Sequence, residues 1–178
     1  MATPEDPLVG ALRGGSVHAF DVVYARYRVS LFGFLLRLSG HRQLAEDLFQ
    51  NTWLKLARGA ARLEPDTDLK AWLFSVARNE YRSYCRWRRV DLRRLLRAEC
   101  ERDAAPGSGG LDIELSRDTE RAFAHLTLAD RELLLLLNIE GLEPKTAAAI
   151  LGISYQTLRQ RLARARAHLA HLLLELAI

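Results

Sequence analysis

Apolar residues recur at intervals of three and four along almost the whole chain, and β-branched runs are short, so the pattern predicts an all-α fold. Leu8 to Gly14 predicts a brief first helix. Ser16 is placed to cap a second, in which Phe20, Val23, Tyr24, Tyr27, Leu31, Phe34, Leu35 and Leu38 follow helical spacing up to Gly40. Gln43 to Arg58 predicts a third, with Leu44, Leu48, Trp53, Leu54 and Leu56 available for burial. Gly59 to Asp68, with Pro65 and three acids, reads as a loop. Asp68 then caps a helix that begins at Leu69 and runs to about Arg88 or beyond. Further on, a helix is expected from near Ile113 to about His125, and Thr127 or Asp130 caps another over Arg131 to Glu140, which Gly141 ends.

The last part of the pattern is the most specific. Lys145 to Leu151 is a short Ala-rich segment of high helix propensity. Gly152 can take positive φ and end it in a tight turn, and Ser154 can cap a longer helix from Tyr155. On that helix Leu158, Leu162, Ala165 and Leu169 share an inward face, while Arg159, Arg161, Arg164 and Arg166 fill the others. No acid occurs between Tyr155 and His171, whereas an ordinary solvated helix mixes both signs to gain intrahelical pairs. A short helix, a glycine turn and a basic helix have the layout of a helix-turn-helix, whose second helix enters the DNA major groove.

Between these halves lies ERDAAPGSGGL, residues 101–111, whose proline, serine and glycines cannot bury enough to offset the entropy of ordering them. It reads as a flexible linker over residues 99–112, dividing the chain into two small helical domains, residues 1–98 and 113–178.

Charge sharpens this division. The net formal charge of the 178-residue chain is only +4, but arginine is concentrated in two places. Eight arginines stand against Glu80 and Asp91 between Arg78 and Arg97, and the Tyr155 helix holds the second group. Two basic stripes in separate domains suggest two footprints on one polyanion. Along the first, Tyr81, Tyr84 and Trp87 interleave with Arg78, Arg82, Arg86, Arg88 and Arg89, a mixture suited to single-stranded nucleic acid, whose bases stack while arginines hold the phosphates. Trp72 fits either that surface or the buried stripe it shares with Leu73, Val76 and Ala77.

Other chemistry finds little support. No Gly-rich phosphate loop, His-Glu metal motif or nucleophile motif is present, so neither an enzyme nor a cofactor is expected. His168 and His171 are spaced to ligate one metal ion together, but Cys85 and Cys100 form no compact cluster with them, and no metal is expected. The longest apolar run, Leu133 to Leu137, is too short to span a bilayer. The first residues, MATPEDPLVGALRGG, lack the basic and apolar regions of a signal peptide, which places the protein in the cytoplasm, without membrane insertion.

QLAEDLFQNTWLKLAR (43–58) followed by LKAWLFSVARNEYRSYCRWRR (69–89) resembles the second domain of an extracytoplasmic-function (group IV) sigma factor of the sigma-70 family. LTLADRELLLLLNIEGLEPKTAAAILGISYQTLRQRLARARAHL (126–169) is similar to the fourth domain of the same family. The resemblance implies a factor that binds core RNA polymerase, helps melt a promoter at the minus-ten element and binds duplex at the minus-thirty-five element. It places Glu46, Asp47 and Gln50 against the clamp helices of the β′ subunit, with the β flap as a further polymerase contact. It places the loop Arg62 to Asp68 and Asn79 at a flipped minus-ten base, with Arg78, Arg82, Arg86 and Trp72 in the same surface. Arg159, Gln160, Ala163, Arg164 and Tyr155 fall at the minus-thirty-five positions, and an anti-sigma protein becomes a possible partner.

The chain departs from the family at Asn51, where an acid is usual, at Trp53, where phenylalanine is common, at Glu143-Pro144-Lys145 and at the small Ala163. These bear on promoter sequence and polymerase affinity. The alternative is a regulator that binds duplex through the helix-turn-helix alone, with a dimerising or sensing N-terminal domain and no polymerase association.

Overall fold

The computed structural model describes residues 7–95, 121–123 and 125–176, all helix, turn or loop. The expected linker and the beginning of the helix near Ile113 lie outside them. Helix α1 (Pro7–Arg13) leads through a turn to α2 (Val17–Ser39), which begins where Ser16 Oγ accepts from the Ala19 N–H at 3.2 Å and ends at Gly40, whose φ is 70°. Helix α3 (Arg42–Gly59) runs on into one 3₁₀ turn, Ala60–Arg62, inside the stretch expected to be loop. Asp68 Oδ1 accepts from the Ala71 N–H at 3.0 Å and starts α4 (Leu69–Leu95).

In the second half the Thr127 hydroxyl accepts from the Asp130 N–H at 3.2 Å and caps α5 (Leu128–Leu134). The sequence predicts one continuous helix to Glu140. Instead the backbone widens at Leu135–Ile139 into a single π turn, closed by the Glu140 N–H on the Leu135 carbonyl at 2.9 Å. Leu133, Leu134, Leu135 and Leu136 are all at most 1% exposed, because this segment is surrounded rather than laid on one face. Pro144 opens α6 (Pro144–Leu151), at a position where its missing N–H costs nothing. Gly152, with φ 67°, ends α6, and Ser154 Oγ accepts from the Thr157 N–H at 3.1 Å to cap α7 (Tyr155–Leu176).

Helices α2, α3 and α4 form one bundle with α1 laid against α2, and α5, α6 and α7 form a second. The two are in contact, α4 packing against α6 and α2 against α5 and the π turn, and their buried residues make one continuous cluster. Within the first bundle Phe34 and Phe74 are both fully buried and meet edge to face at 5.2 Å between centroids. Phe20, Tyr24, Phe49 and Trp53 form a second aromatic cluster between α2 and α3. Leu54 is a correction to the expected core: it is 48% exposed, on the outer side of α3, while its neighbours Trp53 and Leu56 point in.

Phe34→Ala should lower the free energy of unfolding by about 3–5 kcal/mol, since it removes a buried ring together with its edge-to-face contact to Phe74. Denaturant titration followed by circular dichroism measures it.

Candidate nucleic-acid and polymerase interfaces

Helix α4 carries the first set of expected site residues, and the structure does not treat them alike. Asn79 and Arg86 are exposed, Arg86 Nη2 donating to Ser83 Oγ at 2.8 Å. Trp72 is half-buried and packs at the edge of the core. Arg78 is only 6% exposed, and Arg82 is half-buried. Both arginines are turned toward the second bundle, onto one carboxylate.

That carboxylate is Glu132 of α5, which is fully buried. Arg82 donates from Nε to Oε1 and from Nη2 to Oε2, both at 2.7 Å, in a bidentate fork. Arg78 donates from Nε to Oε2 at 3.1 Å and from Nη1 to the Ile150 carbonyl at 2.8 Å. Ile150 lies in the last turn of α6, where carbonyls have no intrahelical partner and a cation is favoured by the helix dipole. Hydrogen bonding to Glu132, foremost, makes the Arg82 guanidinium hold its proton still more firmly than usual.

Two more cations cross between the bundles in the same manner. Arg131 of α5 donates from Nη1 to the Leu38 carbonyl at 3.2 Å, in the last turn of α2, and Lys70 of α4 donates to the Glu140 carbonyl just past the π turn. The Glu140 side chain is 6% exposed; burial lifts its pKa from 4.5 to about 7, against the opposing pull of Lys70 and Arg37. Burial, followed by the neighbouring Cys85, pushes the Tyr81 hydroxyl up to about 12.

The second set lies on α7. Tyr155, Arg159, Gln160, Ala163 and Arg164 are all exposed, whereas Leu158 and Ala165 on the opposite face are fully buried. The inward face expected from the spacing is therefore present, with Leu162 and Leu169 half-buried at its edge. Arg166 is turned back toward the π turn, Nη2 donating to Asn138 Oδ1 at 3.1 Å. The third set is on the outer side of α3: Asp47 and Gln50 are exposed, and Glu46 is paired with Arg42 Nε at 3.0 Å. Beside them a groove of about 420 Å³ between α3 and α4 is lined by Leu44, Asp47, Asn51, Glu80, Tyr84 and Trp87, among others.

Sequence reasoning missed Glu132 and Lys70. A signal for Glu132 was present, since an acid set directly before five leucines cannot remain charged in a core without a partner. Nothing in the local pattern marked Lys70. Among the described residues, no group of three or more metal-ligating side chains is gathered, and no helix is long and apolar enough to cross a membrane.

Residues 23–90 match the family described as sigma-70 region 2, and residues 116–169 match sigma-70 region 4. The chain is 32% identical to the RNA polymerase sigma factor CarQ of Myxococcus xanthus, over 93% of this chain and 95% of CarQ. It is 34% identical to the extracytoplasmic-function sigma factor EcfG of Rhodopseudomonas palustris, over 81% of this chain and 79% of EcfG. Among solved structures it is similar to the sigma factor RpoE of Bartonella quintana in complex with the anti-sigma factor NepR, with a TM-score of 0.74 and 32% identity, over 88% of this chain and 98% of that one.

The raised pKa of Glu140 fixes a sign. Below about pH 4.5 the carboxyl is neutral whether folded or unfolded, and as pH rises toward 7 the unfolded chain ionises it first, so the group's contribution to stability is lost. Wild type and Glu140→Gln should therefore have similar unfolding midpoints near pH 4.5, and the wild type should fall progressively behind the variant as pH rises through 7. Thermal melts across that range test it.

Proposed function

The chain belongs to the extracytoplasmic-function group of the sigma-70 family, and on that premise we propose that its exposed basic faces divide promoter recognition between them. As a sigma factor it binds core RNA polymerase and directs initiation at particular promoters; the regulator that works without polymerase is not favoured. Factors of this kind are generally non-catalytic, and we infer that this one supplies no reaction of its own and works in the cytoplasm beside the polymerase.

The observation that carries the division of labour is the exposed row Arg159, Gln160, Ala163 and Arg164 on a capped helix that follows a glycine turn. A helix presented in this way reads base edges in duplex DNA, and an arginine on it pairs bidentately with guanine. Asn79, Arg86 and the more enclosed Arg78, Arg82 and Trp72 are assigned to the minus-ten element, where a base is flipped and the strand is held by its phosphates. Glu46, Asp47 and Gln50 are assigned to the clamp helices of the β′ subunit, with the second bundle meeting the β flap, and the domain limits 1–98 and 113–178 go with the same reading.

Run-off transcription with purified core polymerase on a promoter library tests the function: initiation should begin at a defined set of sequences only when the chain is added. Failure of the chain to bind core polymerase, with duplex binding retained, would return the regulator to favour.

Within that assay Arg159→Ala should relax preference at one minus-thirty-five base, with about 1–3 kcal/mol of discrimination lost there. Arg86→Ala should weaken all promoters alike and flatten the log–log salt dependence of single-strand binding by about 0.7. Loss of base preference in both variants would contradict the assignment.

A further inference from the structure

Arg78 and Arg82 cannot hold promoter phosphates in the arrangement described, because both are committed to Glu132. We propose that Glu132 is an internal stand-in for a promoter phosphate, forming with Arg78 and Arg82 a latch that closes the minus-ten face of the chain onto its own second bundle. The proposal rests on the assignment of those arginines to the minus-ten strand.

The chemistry of the pair matches the role. A guanidinium binds a carboxylate and a phosphate through the same two-pronged fork, so one can replace the other on Arg82 without rebuilding the site. Glu132 is fully buried, which makes it costly to leave unpaired and strongly favours the closed arrangement while no other anion is offered. The two arginines differ in access: the Arg82 side chain is 37% exposed and that of Arg78 is 7% exposed. An incoming phosphate therefore meets Arg82 first. Arg78, held also by the Ile150 carbonyl, is released only as α6 leaves α4.

The latch is selective. Arg159, Gln160, Ala163 and Arg164 remain exposed in the same closed arrangement, so duplex binding by α7 stays available, while on α4 Arg78 and Arg82 are engaged by Glu132 and only Asn79 and Arg86 of the minus-ten set are left open. The closed chain is thus a duplex binder that withholds two arginines of its melting surface, and opening exchanges the internal carboxylate for nucleic acid.

Glu132→Gln keeps the size of the side chain and removes the charge. Two readouts on the full chain test the latch: the radius of gyration by small-angle scattering, and affinities for a mixed-sequence single-stranded oligonucleotide and for a mixed-sequence duplex. The latch predicts a larger radius, a gain in single-strand affinity of about tenfold, which is the size of effect that about 1.4 kcal/mol produces, and duplex affinity within about twofold of wild type. A larger radius with unchanged single-strand affinity would overturn the stand-in role, and no change in either would overturn the latch. Should Glu132→Gln lose its helical circular dichroism, Glu132→Met decides by the same two readouts, because it also removes the carboxylate that holds Arg78 and Arg82 while filling a similar volume. The assignment beneath the proposal is checked apart from it: Arg86→Ala lies outside the latch, and if it leaves single-strand binding intact, the minus-ten assignment of α4 fails whatever Glu132 does.

Discussion

One buried carboxylate organises the arrangement of the two halves. Glu132 brings a full negative charge into the interior, where it is tolerable only with the guanidinium groups of Arg78 and Arg82 against it. The three charges do not balance, and the surplus is positive. It is offset by the last turn of α6, whose unpaired carbonyl at Ile150 takes a hydrogen bond from Arg78. The same device recurs at the end of α2, where Leu38 accepts from Arg131, and past the π turn, where Glu140 accepts from Lys70. The bundles thus meet by each capping the other's helix ends with cations, over an apolar seam that α4 and α6 share.

Such a junction differs from a packed core in what it responds to. Apolar burial is not screened by ions and offers no group for a competing anion to take, whereas charged hydrogen bonds at a partly open seam are open to both. Glu140 adds a proton-sensitive element beside it, since burial holds that carboxyl near neutrality between Lys70 and Arg37. The interior of each bundle is by contrast ordinary close packing, with Phe34 against Phe74 in the first and leucines in the second. Stability and responsiveness are placed in different parts of the molecule.

Much of this was legible in the chain. Ser16, Asp68 and Ser154 each cap the helix they were expected to cap, Thr127 does so of the two candidates it shared with Asp130, and Gly40 and Gly152 take the left-handed conformation where a helix was expected to end. These features are local: a side-chain oxygen and an N–H three residues away decide them. The two faces of α7 were legible for a similar reason, because helical period alone separates Leu158 and Ala165 from Arg159 and Arg164. What could not be read was long-range. Arg78 looks like any other arginine of its basic stripe until Glu132, far along the chain, is placed beside it, and Leu54 looks like any other leucine of α3 until the described helices are found to leave it exposed. The π turn was hidden as well, since a run of leucines suits an α-helix and a wider turn equally.

That π turn makes chain length, rather than residue type, the sensitive variable between Leu135 and Ile139. Adding or removing one residue in a helix rotates everything beyond it by about 100° and shifts it by about 1.5 Å. Here what lies beyond is Glu140, with its contact to Lys70, and then α6, whose final carbonyls receive Arg78. A change of length that the wider turn does not take up would keep every side chain needed for the junction and still swing its members out of register. Exchanging leucine for isoleucine or methionine in this segment leaves that register untouched, whereas a residue gained or lost there preserves it only where the turn widens or tightens to match.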